Sequence, residues 1–148
     1  MAEIDKDRVI QLFAAGYNCA QCVFLSVLER KGIAVEYAGG ITAGFGMGMT
    51  NGATCGAVSG AIMAIGLLEK FQHEQVAEHK EATYAAVRTF LARFEGEFGS
   101  TRCQDLTGGH TWQDPAERQE ARDAGVFQEV CPPLVATAVN IVLNMYPD

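Results

Sequence analysis

Residues 74–98 read EQVAEHKEATYAAVRTFLARFEGEF, and this segment gives the strongest indication of the fold class. Largely apolar side chains recur in it every three or four residues, the spacing that places them on one face of an α-helix. They are Val76, Thr83, Tyr84, Val87, Phe90, Leu91, Phe94 and Phe98. Gly99 follows, and a glycine can end a helix in the left-handed conformation. The pattern predicts one long helix with a buried face.

Helix start and stop signals also precede this stretch. A helical pattern begins at Asp5 and is interrupted by Gly16. In the next segment Asn18 is a candidate N-cap, Gln21 occupies the capping-box position and Gly32 ends the apolar pattern. The sequence therefore predicts two helices before the glycine-rich segment 39–52.

A buried helix is predicted over Ala53–Leu68, where small and aliphatic residues predominate. Gly56 and Gly60 lie four residues apart on one face, together with Ala64, so another backbone can approach closely there. This small-residue face is also a candidate dimer contact. We therefore expect either a close helix pair within the chain or a homodimer.

Two further helices are predicted toward the C-terminus. Asp114 as N-cap, Pro115 in the first turn and Glu117 start a short charged helix that Gly125 closes and that we expect to be exposed. The last helix begins at Pro132 and Pro133. Its apolar face is formed by Leu134, Val135, Ala138, Ile141, Val142 and Met145. Since no segment alternates with period two, residues 1–148 are predicted to form an all-α, single-domain helical bundle.

Composition and charge restrict the classes of partner. The chain has 148 residues, 49% of them hydrophobic, and a net charge of -7, which disfavours binding to nucleic acid. The N-terminus lacks the basic and then apolar layout of a signal peptide, so we expect a cytoplasmic protein. Tyr37–Leu68 carries no charge but contains nine glycines, which favours a buried loop and a core helix over a membrane span.

The five cysteines are the most informative residues. A reducing cytoplasm favours catalytic or metal-binding thiols over structural disulfides. Cys19 follows Asn18, Cys55 lies where the glycine-rich segment becomes a helix, Cys103 comes three residues after the candidate cap Ser100, and Cys131 precedes Pro132. Four thiols are thus predicted at helix N-termini, where the helix dipole favours the thiolate, the form that attacks disulfides and binds metals.

Cys19 and Cys22 form a C-A-Q-C pair one helical turn apart. In thiol oxidoreductases this spacing lets the first thiolate attack and the second resolve the mixed disulfide. The βαβ context of a thioredoxin-like site is missing, and no second close Cys or His pair predicts a zinc site. Cys19, Cys22, Cys55, Cys103 and Cys131 are the candidate catalytic residues.

The cysteine pattern resembles a known family. Cys19 in GYNCAQ, Cys55 in CGAVSG, Cys103 in FGSTRC and Cys131 in a late helix are similar to the four cysteines of the C_GCAxxG_C_C family, in which a C-G-A-x-x-G motif surrounds the second. The glycine loop GFGMGMTNG before Cys55 also matches. Cys22 departs from the family pattern, where a small residue is usual. The resemblance covers the chain from about Gly16 to the last helix and implies a redox-active protein.

The resemblance also implies a cofactor. The family is similar to the cluster-bearing domain of split-Soret cytochromes c, which implies an iron–sulfur cluster held by Cys19, Cys55, Cys103 and Cys131. Three alternatives are therefore open: cycling between dithiol and disulfide, electron transfer by a cluster, or a metal-binding module without turnover. The redox partner is not specified by the sequence.

The glycines, methionines and histidines give weaker indications of a functional site. Gly44, Gly46 and Gly48 lack the context of a nucleotide-binding loop, so they are expected to let the backbone pass close to a helix or to the cysteine site. Met47, Met49 and Met63 could bind copper(I) but are expected to pack in the core. His73 and His79 are expected to be solvated, whereas His110 and Trp112 are expected in a loop that covers a pocket.

Overall fold

The computed structural model describes residues 4–148, which form eight α-helices. They are α1 (Lys6–Ala14), α2 (Cys19–Lys31), α3 (Ala38–Thr42), α4 (Gly56–Lys70), α5 (Val76–Phe98), α6 (Cys103–Leu106), α7 (Pro115–Asp123) and α8 (Cys131–Met145). Within the described residues there is no strand, and Thr54 and Arg102 form an isolated antiparallel bridge. The predicted all-α helical bundle is confirmed.

Helix α4 lies at the centre of the core and packs against α2, α5 and α8. Phe90 and Phe94 of α5 are fully buried, and their rings stack with centroids 5.8 Å apart. Burying each such side chain stabilises the fold by roughly 1.5–3 kcal/mol. A second, smaller cluster containing Trp112 and Val126 lies beside this main core.

The small-residue face of α4 is where α2 approaches most closely. A Cβ added to Gly60 would lie 2.6 Å from the carbonyl oxygen of Ala20, and one added to Gly56 would lie 2.9 Å from its amide nitrogen. The predicted close approach is confirmed, and the approaching backbone belongs to the same chain. This face is therefore covered by α2 of the same chain, and the homodimer stays a prediction.

The helix caps follow the sequence signals. Asn18 Oδ1 accepts from the Gln21 amide and Gln21 Oε1 accepts from the Asn18 amide, both at 3.0 Å, as in a complete capping box. Gly32 ends α2 in the left-handed conformation, at φ 65°. Asp114 Oδ1 accepts from the Glu117 amide at 2.8 Å at the start of α7.

Three regions differ from the sequence prediction. Helix α4 begins at Gly56 rather than at Ala53, because Ala53–Cys55 run beside the segment before α6 and hydrogen-bond to it. Arg102, not Ser100, is the N-cap of α6. The glycine-rich segment 39–52 is not a plain loop, since it contains α3, a 3-10 turn at Ala43–Phe45 and a π turn at Gly48–Gly52.

The predicted continuous buried stripe of α5 was partly wrong. Val76 is 76% exposed and Tyr84 is 50% exposed, whereas Phe90 and Phe94 are inaccessible. Helix α5 has 23 residues and α4 has 15. At about 1.5 Å of rise per residue the longer helix cannot be covered along its whole length by the shorter one.

The structure divides the uncharged stretch Tyr37–Leu68 into short turns and the 15-residue α4, which is shorter than a membrane span requires. A different window, Val126–Met145, is apolar and long enough to cross a bilayer. More than half of that window, 56%, is buried in the protein, and Val135, Val139 and Val142 of α8 are inaccessible. Helix α8 thus packs as a core helix.

Candidate functional site

Four of the five cysteines lie where four different α-helices begin. Cys19, Cys103 and Cys131 are the first residues of α2, α6 and α8. Cys55 is the N-cap of α4. The predicted placement at a helix N-terminus is confirmed for Cys19, Cys55 and Cys103. It was wrong for Cys131, because the π-helical turn Val126–Val130 runs directly into α8 and Val130 is already helical.

Backbone hydrogen bonds hold the starts of α4 and α6 side by side. The Cys55 amide donates to the Thr101 carbonyl at 2.8 Å, and the Cys103 amide donates to the Ala53 carbonyl at 2.6 Å. Both bonds flank the bridge between Thr54 and Arg102. Two cysteines separated by 48 positions are thereby brought next to each other by main-chain contacts.

A cavity of about 430 Å³ brings the four thiols together, and Cys19, Cys55, Cys103 and Cys131 all line it. It lies between the main core and the smaller cluster, to which Cys103 and Cys131 belong. Cys19 is half-buried and the other three are buried. Cys22 is not among the lining residues, because it points into the main core and is inaccessible.

Glycines make room for this convergence. A Cβ on Gly48, which has φ 62°, would lie 2.6 Å from the Cys103 Cβ, and a Cβ on Gly56 would lie 2.9 Å from the Cys19 Cβ. Side chains at these positions would push the thiols apart. The expectation that glycines of this segment let the backbone pass close to a helix or to the cysteine site is confirmed for Gly46, beside Asn18, and for Gly48. It was wrong for Gly44, where an added Cβ would have no neighbour within 4 Å.

The loop after α6 forms one wall of the cavity through Trp112. The indole N–H of Trp112 donates to Cys103 Sγ at 3.1 Å, and its ring stacks on His110 and Phe127 with centroids 4.9 and 5.4 Å away. Glu117 anchors the loop by accepting from the Thr111 amide at 2.6 Å. The predicted role of this loop as a cover over a pocket is confirmed.

The thiols shift one another's protonation. The pKa of Cys19 is raised well above its usual value, first by a hydrogen bond with the Cys131 side chain, then by burial and by the nearby thiols of Cys131, Cys55 and Cys22. Burial raises the pKa of Cys55 to about 12, although the Ala57 amide opposes this. The pKa of Cys103 is raised by burial and lowered, to a smaller extent, by the Trp112 N–H.

Helix N-termini were expected to lower the thiol pKa and so to favour the thiolate. For Cys19, Cys55 and Cys103 this was wrong, because the net pKa shift is upward. Amide groups do approach Cys55, but its sulfur makes no full capping hydrogen bond. The free-energy cost of removing a thiolate from water is larger than the stabilisation that these amide donors provide. Burial therefore raises the pKa and favours the protonated thiol at Cys19, Cys55 and Cys103.

The family model "Putative redox-active protein (C_GCAxxG_C_C)" matches residues 17–145. The chain belongs to this family. Neither a curated protein nor a solved structure matches the chain. The C-G-A-x-x-G motif has a direct physical meaning here, because Cys55 supplies a cavity thiol while Gly56 and Gly60 admit the α2 backbone that carries Cys19.

The four cavity thiols of this C_GCAxxG_C_C protein are soft donors of the kind that hold iron–sulfur clusters. Within residues 4–148 no group of three or more His, Cys, Asp or Glu side chains is close enough to hold a single metal ion. A cluster is larger than one ion, so its ligands stand farther apart. The N–H of Trp112 already donates to Cys103 Sγ, and a cluster-bound cysteine sulfur can also accept such a hydrogen bond. In donor type and number, the residues fit a cluster.

The methionines and the other histidines lie elsewhere. Met47 lines the cavity, whereas Met49 is 42% exposed and Met63 packs against the main core, so the three do not form a copper site. The expectation that His73 and His79 are solvated was wrong. Both are half-buried, with Nε2 of His73 3.1 Å from Glu69 and Nε2 of His79 2.7 Å from the Gly66 carbonyl.

Sequence reasoning missed several residues of the cavity, among them Tyr17, Arg118, Arg122 and Phe127. Helix α7 was read only as a short exposed charged helix. The signal that could have revealed the site is the pair Arg118 and Arg122, spaced four residues apart and therefore on one face.

Proposed function

We propose that this protein is a cytoplasmic redox protein in which Cys19 and Cys131 are oxidised together to a disulfide. The observation that supports this best is that both side chains line the same cavity, where Cys131 is the largest influence on the pKa of Cys19. Cys19 is half-buried and can meet a reagent, whereas Cys131 is buried. Membership of a family described as redox-active is consistent with this chemistry.

The oxidant in this proposal is a disulfide. The Cys19 thiolate attacks one sulfur of that disulfide, so a mixed disulfide forms and one thiolate leaves. The Cys131 thiolate then attacks Cys19 Sγ, forming the Cys19–Cys131 bond and releasing the second thiolate. Two electrons pass from the cysteine pair to the external disulfide, and the two protons of the cysteines go to the released thiolates. The reverse sequence reduces the pair.

Thiol counting with matched variants tests this function. Treating the reduced protein with a small disulfide should remove two of its five free thiols, and a non-reducing peptide map should show the Cys19–Cys131 link. Cys19→Ser should abolish the loss of a thiol pair. Cys22→Ala should still lose two thiols, since Cys22 lies outside the cavity. A count that stays at five, or a Cys19–Cys22 link, would contradict the proposal.

A second candidate function is electron transfer by an iron–sulfur cluster bound to Cys19, Cys55, Cys103 and Cys131. The observation that favours it is the convergence of four thiols from four helices, where a disulfide would need only two. A cluster in this position would supply one-electron transfer. Raised thiol pKa values would then oppose binding at low pH, because each ligand must lose its proton first.

Anaerobic purification separates the two candidates. A cluster would give a brown protein with iron and acid-labile sulfide. Cys103→Ala should then lose the colour, and Cys22→Ala should keep it. A colourless, metal-free protein after reconstitution with iron and sulfide would eliminate the cluster. Stoichiometric zinc or copper without redox cycling would instead indicate a metal-binding module without turnover.

A further inference from the structure

The charged side chains that line the cavity are all positive. Apart from the four thiols and Tyr17, the ionisable residues that line it are Arg118 and Arg122, and none of the described lining residues is Asp, Glu, Lys or His. This is unexpected in a chain with eighteen acidic residues, eleven basic ones and a net charge of -7. The positive lining therefore contrasts with the charge of the protein as a whole.

Both arginines are available to a ligand. They lie four residues apart on α7 and so share a face of that helix. The Arg118 side chain forms no ion pair or hydrogen bond with residues 4–148, and Arg122 Nη1 donates one bond to Gln119 at 3.0 Å. The adjacent acid Glu117 is engaged by the Thr111 amide and by His110, which lies 3.5 Å away. Each guanidinium presents five donors in a planar fork that suits carboxylate.

The rest of the cavity is apolar and aromatic. Trp112 and Phe127 stack on each other at 5.4 Å, and Phe13 and Met47 also line the space. A volume of about 430 Å³ falls in the range of small-molecule sites, roughly 300–1,000 Å³. A molecule that fits this lining has an apolar or planar body and at least one negative group.

We propose that the cavity binds small organic anions, and that the disulfide or thiol that exchanges with Cys19 carries a carboxylate that Arg118 and Arg122 bind. The aromatic pair Trp112 and Phe127 contacts the body of the molecule. This inference rests on the proposed function for its reactive partner, Cys19, while the binding step can be tested without that reaction. The arginines act as binding residues, since they contact the substrate and take no part in electron transfer.

Two aromatic disulfides, one negatively charged and one neutral, test the proposal. Dithiobis(nitrobenzoate) carries a carboxylate on each ring, and dithiodipyridine is neutral. In the doubly substituted protein, Arg118→Gln with Arg122→Gln, the rate of Cys19 modification by the carboxylated reagent should fall on the order of tenfold, while the rate with the neutral reagent stays the same. Added salt should slow the carboxylated reagent with the unsubstituted protein.

Arg93→Gln is the matched control, because Arg93 is an exposed arginine on α5 that does not line the cavity. It should leave both rates unchanged. Equal slowing of both reagents by the Arg118 and Arg122 substitutions, or no slowing of either, would overturn the proposal.

A binding measurement separates this proposal from the proposed function. In Cys19→Ser, titration with nitrobenzoate is followed by the fluorescence of Trp112, the only tryptophan of the chain. Binding that is lost in the arginine variants supports the anion site even if no Cys19–Cys131 disulfide ever forms. Binding that is absent, or that the arginine substitutions do not weaken, overturns the anion site even if the disulfide does form.

Discussion

The indole N–H of Trp112 donates a hydrogen bond to the sulfur of Cys103 across 3.1 Å in the wall of the cavity. Trp112 holds φ at 62°, a left-handed conformation that costs of order 1–3 kcal/mol in a residue other than glycine. The stacked rings of His110 and Phe127 and the anchored loop around Glu117 offset that cost. The contact therefore links a strained loop directly to one of the four cavity thiols.

Trp112→Phe should raise the pKa of the Cys103 thiol, because it removes the N–H donor that lowers it. Stability should also fall by about 1 kcal/mol for the lost hydrogen bond. The Cys103 pKa is measured from the pH dependence of Cys103 alkylation in buffer without denaturant, with the alkylated peptide quantified by mass spectrometry. Phe127→Leu is the control, since it removes a stacking partner and keeps the N–H. An unchanged or lower Cys103 pKa in Trp112→Phe would contradict the assigned role.

Cys131→Ala should make Cys19 more reactive at neutral pH. The Cys131 side chain is the largest cause of the raised Cys19 pKa, first through its hydrogen bond and further through its charge. Without it the thiolate fraction of Cys19 rises, and alkylation by iodoacetamide accelerates. Cys22→Ala should have a smaller effect, because Cys22 is the last of the causes. A variant in which the alkylation profile does not move to lower pH would show that the two thiols are not coupled.

Gly60→Ala should destabilise the fold by about 1–3 kcal/mol. Its Cβ would lie 2.6 Å from the Ala20 carbonyl oxygen, a backbone atom that cannot rotate away. Gly66→Ala on the same helix is the matched control, because its nearest new contact is Thr83 Cγ2 at an ordinary 3.8 Å. It should stabilise by about 0.5–1 kcal/mol through helix propensity. Urea unfolding measures both, and equal effects of the two substitutions would contradict the packing argument.

Stability should fall at alkaline pH partly through Cys22. Burial raises the pKa of its thiol to about 12 in the folded protein, whereas an unfolded thiol titrates at about 8.5. The unfolded chain loses this proton first, so the contribution is complete below the lower value and is lost as pH rises toward the higher one. In that window one such group changes the free energy of unfolding by about 1.4 kcal/mol per pH unit.

Cys22→Ala should therefore give a shallower decline of unfolding free energy in the alkaline range than the unsubstituted protein. Urea unfolding at a series of pH values measures the two slopes. Tyrosines and lysines titrate in both proteins and cancel in the comparison. Parallel curves would show that the Cys22 proton is not retained by folding.

Local sequence signals were enough to predict the helical fold and to place thiols at helix starts. The caps at Asn18 and Asp114 depend only on residues within one helical turn, so they can be predicted from the sequence. The buried helices can be predicted in the same way, from the spacing of apolar residues. The same local signals placed Cys19, Cys55 and Cys103 at helix N-termini. The C-G-A-x-x-G motif indicated a close helix contact, although not which backbone would make it.

Which thiols meet, and in which protonation state they rest, depends on the packing of helices that are distant in sequence. Cys22 and Cys19 lie one turn apart, yet α2 turns Cys22 into the core, while Cys131, 112 positions away, meets Cys19 at the cavity. The helix dipole acts over one turn and can be inferred from sequence. Burial depends on which helices cover the site, and for Cys19, Cys55 and Cys103 the net effect is to favour the thiol. The arginine pair of α7 likewise became part of the site only through packing.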